Sequence, residues 1–167
     1  LILVAFYILD NFEEKRKKWQ ERMMYVMVDE FQDVSGNQYA LADILSEYHG
    51  NLFIVGDPDQ TIYSWRYADI NHILDFDMHH EITKTIILDK NYRSTKTILD
   101  AANSVIKNNH ERHPKDLLSV KDEGEKITYY RARNGLHEVG YIANPTNDLK
   151  NQGVSLDEMV VLYRTNA

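Results

Sequence analysis

Three acidic residues follow a short apolar run near the start of the chain. Asp29 and Glu30 come directly after residues 25–28, and Asp33 lies three residues further on. Capping of the next helix would explain one acid at the end of a strand. Alternatively, one or two carboxylates bind Mg²⁺ together with substrate phosphates, and a neighbouring Glu activates the attacking water. Helix capping needs no Gln32, so the full pattern favours phosphate chemistry.

A second cluster occupies residues 56–69, which read GDPDQTIYSWRYAD. It also begins directly after an apolar run, and the amide of Gln60 is placed where it could contact a terminal phosphate. Aromatic residues interleaved with arginine form a stacking platform for single-stranded bases, and Tyr63, Trp65 and Arg66 fit that pattern. Taken alone, an aromatic run of this kind is explained equally well by core packing.

A third cluster, NYRST, occupies residues 91–95. Tyr92 and Arg93 fall between a predicted strand and a predicted helix. An arginine in this place can stabilise charge on a phosphoryl group during its transfer. A surface arginine beside a packed tyrosine is the alternative interpretation.

Short apolar runs alternate with helical patterns along the chain, which indicates βαβ units and a parallel sheet whose strands are buried on both faces. Ligands of such a sheet bind beyond the carboxyl ends of its strands, where the three clusters lie. Pro145 disfavours helical structure in the second half of the predicted helix 138–150. We predict strands at 25–28, 52–55, 85–88, 127–132 and 159–164, and helices at 11–24, 35–48, 69–76, 94–106 and 138–150, with loops at 107–116 and 121–126.

Composition sets outer bounds on the function. The chain has 167 residues, 43% of them hydrophobic, and a net charge of −7, which argues weakly against a free-standing nucleic-acid binder. Residues 1–83 are strongly acidic and residues 84–167 are slightly basic, and a polar stretch places a domain boundary near residue 80. The absence of cysteine excludes disulfides and thiolate metal sites. The apolar opening of nine residues is too short to cross a bilayer. We expect a cytoplasmic protein with no membrane contact, and a core segment of a chain that begins further upstream.

Taken together, the clusters resemble one known family. VDEFQD (28–33), GDPDQTIYSWR (56–66) and NYRST (91–95), in that order, resemble motifs II, III and IV of superfamily 1 DNA helicases of the UvrD/Rep/PcrA type, and VLYRTNA (161–167) resembles a later motif. The resemblance implies two α/β, parallel-sheet RecA-like motor domains with ATP and Mg²⁺ in the cleft between them. It also implies 3′–5′ translocation on single-stranded DNA and unwinding of duplex DNA. Residues 1–80 would be the C-terminal part of the first motor domain, and residues 81–167 the N-terminal part of the second.

The resemblance also implies roles for residues at the nucleotide. Asp29 would coordinate magnesium, and Glu30 would be the catalytic base. Gln60 would contact the γ-phosphate and couple it to DNA, while Gln32 and Asp33 would link the ATP site to its neighbours. Tyr92 would stack against adenine, and Arg93 would reach the γ-phosphate from the second motor domain.

On the DNA side, the resemblance implies that Trp65 stacks on a base, with Tyr63 and Arg66 supporting the DNA path. Arg164 and Asn166 would touch the DNA backbone. The chain departs from the family pattern in two places: Tyr67 stands where the family usually has Gly, and Pro58 replaces an acid.

The 167 residues contain no G-x-x-x-x-G-K-[ST] pattern, the loop that holds phosphates in P-loop enzymes. We therefore expect an interior fragment of a helicase that needs the remainder of the helicase chain and does not hydrolyse ATP alone. The alternative is a helicase-derived module that binds nucleic acid or protein without motor activity.

Overall fold

The computed structural model describes residues 1–80, 82–110, 112 and 114–163. The chain divides into two compact units, Leu1–Gly124 and Glu125–Ala167. In the described part of the chain, no helix is long and apolar enough to cross a membrane.

The first unit combines helices with two short parallel sheets. It also contains three 3₁₀ turns, at Phe31–Asp33, Pro58–Gln60 and Ser64–Arg66. The first turn follows the first strand, and the other two follow the second strand. The regular elements, in chain order, are α1 (Ile2–Asn11), α2 (Glu13–Arg22), β1 (Val26–Val28), α3 (Gly36–Ser46), β2 (Leu52–Ile54), α4 (Asn71–Leu74), α5 (Phe76–His79), β3 (Lys90–Asn91), α6 (Lys96–Ile106) and β4 (Leu118–Ser119). The second unit contains α7 (Gly135–Asn151).

The strands β1 and β2 form a parallel pair, with Val26 opposite Leu52 and Val28 opposite Ile54. The helix α3 connects them and contacts both strands, so β1, α3 and β2 make up the predicted βαβ unit. A capping box at Ser35 starts α3. Mixed helix and parallel sheet is therefore confirmed as the fold class of the first unit, and β1 and β2 end where the sequence placed them to within one residue.

The prediction that these strands are buried on both faces is wrong. Met27 is 75% exposed and Phe53 is 59% exposed. Their side chains alternate with those of Val26, Val28 and their partners, which are half-buried. Among the described residues this sheet has two strands, and α3 covers one face of it.

Three further predicted strands are also wrong. Residues 85–88, 127–132 and 159–163 form no strand, and residue 164 lies outside the described part of the chain. The short strand β3 instead begins at Lys90, where β4 provides a parallel partner. An apolar run becomes a strand only where another segment pairs with its backbone, and composition does not reveal that partner.

Two helix predictions need correction. The predicted helix 69–76 is two short helices, α4 and α5, separated at Asp75, whose φ and ψ of −104° and 13° are not helical. Aspartate side chains compete with the helix for backbone hydrogen bonds, which fits a break there. By contrast, α7 continues through Pro145, because its missing N–H removes a single helical hydrogen bond.

Phe31 is the centre of the packing that supports the acidic residues. It is fully buried, and its ring meets Tyr39 and Phe76 edge to face, with centroids 5.7 and 5.9 Å apart. Such pairs add about 0.5–1.5 kcal/mol beyond burial of the same area. Phe31 immediately follows Glu30, so this packing fixes the chain next to the predicted catalytic base.

Candidate functional site

Asp29 and Glu30 follow β1 directly, and both side chains are exposed. Glu30 has φ 49° and ψ 45°, a left-handed conformation that is uncommon for a residue with a side chain. Two backbone hydrogen bonds hold it: Phe31 N–H donates to the Val55 carbonyl at 3.0 Å, and Asp33 N–H donates to the Glu30 carbonyl at 2.9 Å. The strained backbone turns the chain at the end of the strand, where the two acids lie.

The side chain of Gln32 joins the ends of the two strands. It is 1% exposed. Its Nε2 donates to Glu30 Oε2 at 2.8 Å, and its Oε1 accepts the Asp57 N–H at 2.9 Å. One buried amide therefore orients the predicted catalytic base and fixes the loop that follows β2.

Gly56 makes room for this amide. A Cβ at residue 56 would lie 2.5 Å from Gln32 Oε1 and 3.0 Å from the backbone N of Phe31. Gln32 is buried and hydrogen-bonded at both ends of its amide, so it has little freedom to move away. Glycine at this position is required by close approach, not by an unusual φ.

The loop after β2 is organised around the carboxylate of Asp57. Its Oδ2 accepts from Gln60 Nε2 at 2.7 Å, and its Oδ1 accepts from the Asp59 N–H at 3.1 Å and from Lys115 Nζ at 2.6 Å. Burial raises the pKa of Asp57, but hydrogen bonds from Lys115 and Gln60 and the charge of Lys115 outweigh it and lower the pKa below its ordinary value. Asp57 therefore stays ionised and holds the amide of Gln60.

A second ion pair joins the same loop to a distant part of the chain. Arg112 donates through Nε and Nη2 to the two carboxylate oxygens of Asp59, at 2.9 and 2.8 Å. The side chains are only 9% and 12% exposed. Such a bidentate contact fixes the orientation of the two side chains as well as the distance between them.

Sequence reasoning did not identify Asp57, Asp59, Arg112 or Lys115 as site residues, and it described 107–116 only as a loop. The available signal was charge. The acidic pair lies in the strongly acidic first half of the chain, and both cations lie in the slightly basic second half.

The aromatic cluster continues the chain beyond Gln60. The rings of Tyr63 and Trp65 are 6.2 Å apart and tilted by 55°, and Trp65 is 69% exposed. Tyr67 has φ 67° and ψ 20°. Glycine adopts that conformation without strain, which gives a physical reason for the glycine usual in the resembling family. The side chain of Arg66, and all of Arg164 and Asn166, lie outside the described part of the chain.

Tyr92 and Arg93 follow β3 and are held by a different set of contacts from those around Glu30. The Oδ1 of Asn91 accepts the N–H groups of Arg93 and Ser94, at 3.0 and 2.8 Å. Lys121 Nζ donates to the Arg93 carbonyl at 2.8 Å. Both predicted side chains are exposed.

The described residues include no group of three or more His, Cys, Asp or Glu side chains that could hold a metal ion. The exposed carboxylates of Asp29 and Glu30 offer oxygen ligands only. That donor set fits a hard cation such as Mg²⁺ that takes its remaining ligands from phosphates and water.

Comparison with protein families gives two adjoining matches. Residues 1–81 match the model of the UvrD/REP helicase N-terminal domain. Residues 86–167 match the model of the UvrD-like helicase C-terminal domain.

Curated relatives match over the whole chain. Proteins named ATP-dependent DNA helicase PcrA from Staphylococcus epidermidis and Staphylococcus aureus are 43% identical over 167 residues. The chain spans 23% of the length of these relatives.

Proposed function

This chain belongs to the UvrD/Rep family of helicases, and we propose that it forms part of the motor of an ATP-dependent DNA helicase. The complete protein would couple hydrolysis of Mg-ATP to 3′–5′ translocation on single-stranded DNA and to unwinding of duplex DNA. Its partners would be DNA and the remainder of the helicase chain.

We assign residues 1–80 to the C-terminal part of a first RecA-like domain and residues 81–167 to the N-terminal part of a second. The ranges of the two family matches and the parallel βαβ unit of β1, α3 and β2 support this assignment. Nucleotide would bind beyond the carboxyl ends of the strands, where Asp29 and Glu30 lie.

The observation that carries the proposal is the hydrogen-bonded path from Glu30 through Gln32 and Asp57 to Gln60. It joins a carboxylate suited to accept a proton from water with an amide suited to contact a phosphate oxygen. Bound magnesium would neutralise charge on the phosphates, with Asp29 as its protein ligand. Glu30 would deprotonate the attacking water, and Gln60 would contact the γ-phosphate.

Two further residues complete the nucleotide contacts that we propose. Arg93 would place its guanidinium on the γ-phosphate and stabilise the charge that moves during transfer, as a planar, permanently charged group can. Tyr92, exposed directly before it, would stack on the adenine base.

DNA would run past the aromatic cluster. The exposed indole of Trp65 would stack on a base, with Tyr63 and Arg66 supporting it; such stacking is worth about 1–3 kcal/mol per base. Arg164 and Asn166 would contact the DNA backbone. The 167 residues alone would not turn over ATP, because they contain no P-loop to hold the phosphates.

The test uses the complete protein that carries these residues. Glu30→Gln is expected to lower DNA-stimulated ATP turnover by about 10²-fold or more while ATP binding is retained. Trp65→Ala is expected to weaken single-strand affinity by about tenfold with nucleotide binding intact. Glu14→Gln is the matched control, because Glu14 is an exposed carboxylate in α2.

Normal turnover in Glu30→Gln would remove the proposed catalytic base. A complete protein that binds DNA but shows no magnesium-dependent turnover would instead be a helicase-derived binding module. Unchanged DNA affinity and translocation in Trp65→Ala would place the DNA elsewhere.

A further inference from the structure

One segment of the chain touches both the loop that carries Gln60 and the loop that carries Arg93. We call Arg112 together with residues 114–121 the linking segment. Its first end contacts the loop after β2, and its second end includes β4 and contacts the chain around β3. The two groups that we assign to the γ-phosphate are therefore connected through one short stretch of chain.

At the first end, both contacts are charged and largely shielded from water. Lys115 Nζ lies 2.6 Å from Asp57 Oδ1, and Arg112 holds both oxygens of Asp59. Arg112 Nη2 also donates to the carbonyl of Lys115 at 2.7 Å, so the two cations are fixed to each other. A shielded charge that loses its partner is costly, which makes these contacts hard to break singly.

At the second end, the segment holds the backbone that precedes and follows Arg93. The Val120 N–H donates to the Asn91 carbonyl at 3.1 Å, and Ser119 Oγ donates to the Ser94 carbonyl at 2.8 Å. Lys121 Nζ donates to the carbonyl of Arg93 itself at 2.8 Å. The arginine backbone is therefore fixed to the linking segment at several adjacent points.

We infer that Arg112 and Lys115 are positioning residues that hold the loop of Gln60 in a fixed place relative to Arg93. Lys115 acts through Asp57, which binds Lys115 with one carboxylate oxygen and Gln60 with the other. Arg112 acts by fixing Asp59 and the backbone of Lys115. This inference rests on the proposed function, because it takes Gln60 and Arg93 to contact the same phosphate.

Loss of Lys115 removes the charged partner of the Asp57 carboxylate. We expect the carboxylate, which then keeps the Asp59 N–H but no cation, to turn toward water, so that the amide of Gln60 loses the acceptor that orients it. A displaced Gln60 amide at the γ-phosphate should lower the rate of the chemical step more than it weakens binding of ADP, which lacks the γ-phosphate. If Lys115 had a purely structural role, its loss would instead lower the rate of the chemical step and the affinity for ADP together.

The experiment measures kcat and KM for ATP, and Kd for ADP, in the complete protein with DNA present. Lys115→Met keeps the unbranched aliphatic shape of the side chain and removes its charge. We expect kcat to fall about tenfold, Kd for ADP to stay within about twofold, and no further loss of kcat when the change is made in a Gln60→Ala background. Lys17→Met is the control, because Lys17 also pairs with an acid, Glu13, but at an exposed position in α2 outside the linking segment.

Arg112→Lys is a second variant, which keeps the charge and loses the bidentate contact with Asp59. We expect about a threefold fall in kcat, again with no further loss in the Gln60→Ala background. Lys115→Arg should retain most of the turnover, since it restores a cation to Asp57.

Either Lys115→Met or Arg112→Lys overturns the inference if its kcat equals that of the unaltered protein, if its effect multiplies with that of Gln60→Ala, or if ADP affinity falls in proportion to kcat. Failure of the proposed function has a different signature. It would appear without any change at Lys115 or Arg112, as turnover that DNA does not stimulate and that Glu30→Gln does not lower.

Discussion

Replacement of Gly56 by alanine tests whether the two strand ends are held together by the amide of Gln32. The added Cβ would lie 2.5 Å from Gln32 Oε1, well inside van der Waals contact, and 3.0 Å from the backbone N of Phe31. Because Phe31 is fully buried, the backbone cannot readily move, and Gln32 must leave its place. Both hydrogen bonds of that amide are then lost.

The expected cost follows from these contacts. Overpacking of a tight interior site costs about 1–3 kcal/mol. The bond between Gln32 and the Asp57 N–H contributes about 1 kcal/mol, and the bond to the Glu30 carboxylate slightly more. Moving Gln32 relieves part of the clash, so these terms overlap. We expect the free energy of local opening of the loop to fall by about 2–4 kcal/mol.

Amide hydrogen exchange in the complete protein measures this opening directly. The Asp57 N–H is bonded to Gln32 and should be protected from exchange with solvent. A loss of about 2–4 kcal/mol corresponds to exchange that is roughly 30- to 700-fold faster. DNA-stimulated ATP turnover should fall as well, because Gln32 also orients Glu30.

Gly140→Ala is the control for the same chemical change. Apart from the neighbouring backbone of its own helix, a Cβ there would meet no atom within 4 Å, and the residue lies inside α7, so alanine should stabilise the helix by about 0.5–1 kcal/mol. Gly56→Ala should also cost less in a Gln32→Ala background, where the nearest of the clashing atoms, Gln32 Oε1, is gone. Exchange at Asp57 that is unchanged by Gly56→Ala, or equal costs with and without Gln32, would show that the amide of Gln32 does not hold the two strand ends together.

Two further predictions concern backbone strain and charge. Tyr67→Gly should stabilise the turn by about 1 kcal/mol, because glycine avoids the cost of a left-handed conformation; slower amide exchange across residues 61–69 would show it, and unchanged exchange would contradict it. The lowered pKa of Asp57 means that its contribution to stability is fully present above its ordinary value of 3.8 and is lost as the pH falls through the folded-state pKa. The destabilisation caused by Asp57→Asn should therefore be constant from about pH 5 to about pH 8 and should shrink only below about pH 4. A difference that changes between pH 5 and pH 8 would assign that titration to another group.

The parts of the fold that could be predicted are those fixed by local pattern. The strands β1 and β2 and the helices α3 and α6 combine an apolar period with clear ends, such as the capping box at Ser35 and the left-handed Gly50. The failures were apolar runs such as 85–88, where Ile86 and its neighbours are exposed. Pairing depends on a second segment, and nothing within the run specifies it.

The same distinction applies to the candidate site. The positions of Asp29 and Gln60 at strand ends followed from the sequence, since each lies within a few residues of an apolar run. The contact of Arg112 with Asp59 joins residues 53 apart in the chain. Charge asymmetry between the halves indicated that such a contact was favourable, but it could not select which cation meets which acid.

Backbone strain gives evidence on the site that is independent of any motif. Two non-glycine residues in the described part of the chain have positive φ, Glu30 and Tyr67. One is the proposed base, and the other follows the proposed DNA-stacking cluster directly. Strained conformations persist where surrounding contacts enforce them, and they concentrate at functional sites. The contacts that enforce the strain at Glu30 come from Gln32 and from the Val55 carbonyl, so the packing that holds the two strand ends together also orients the carboxylate.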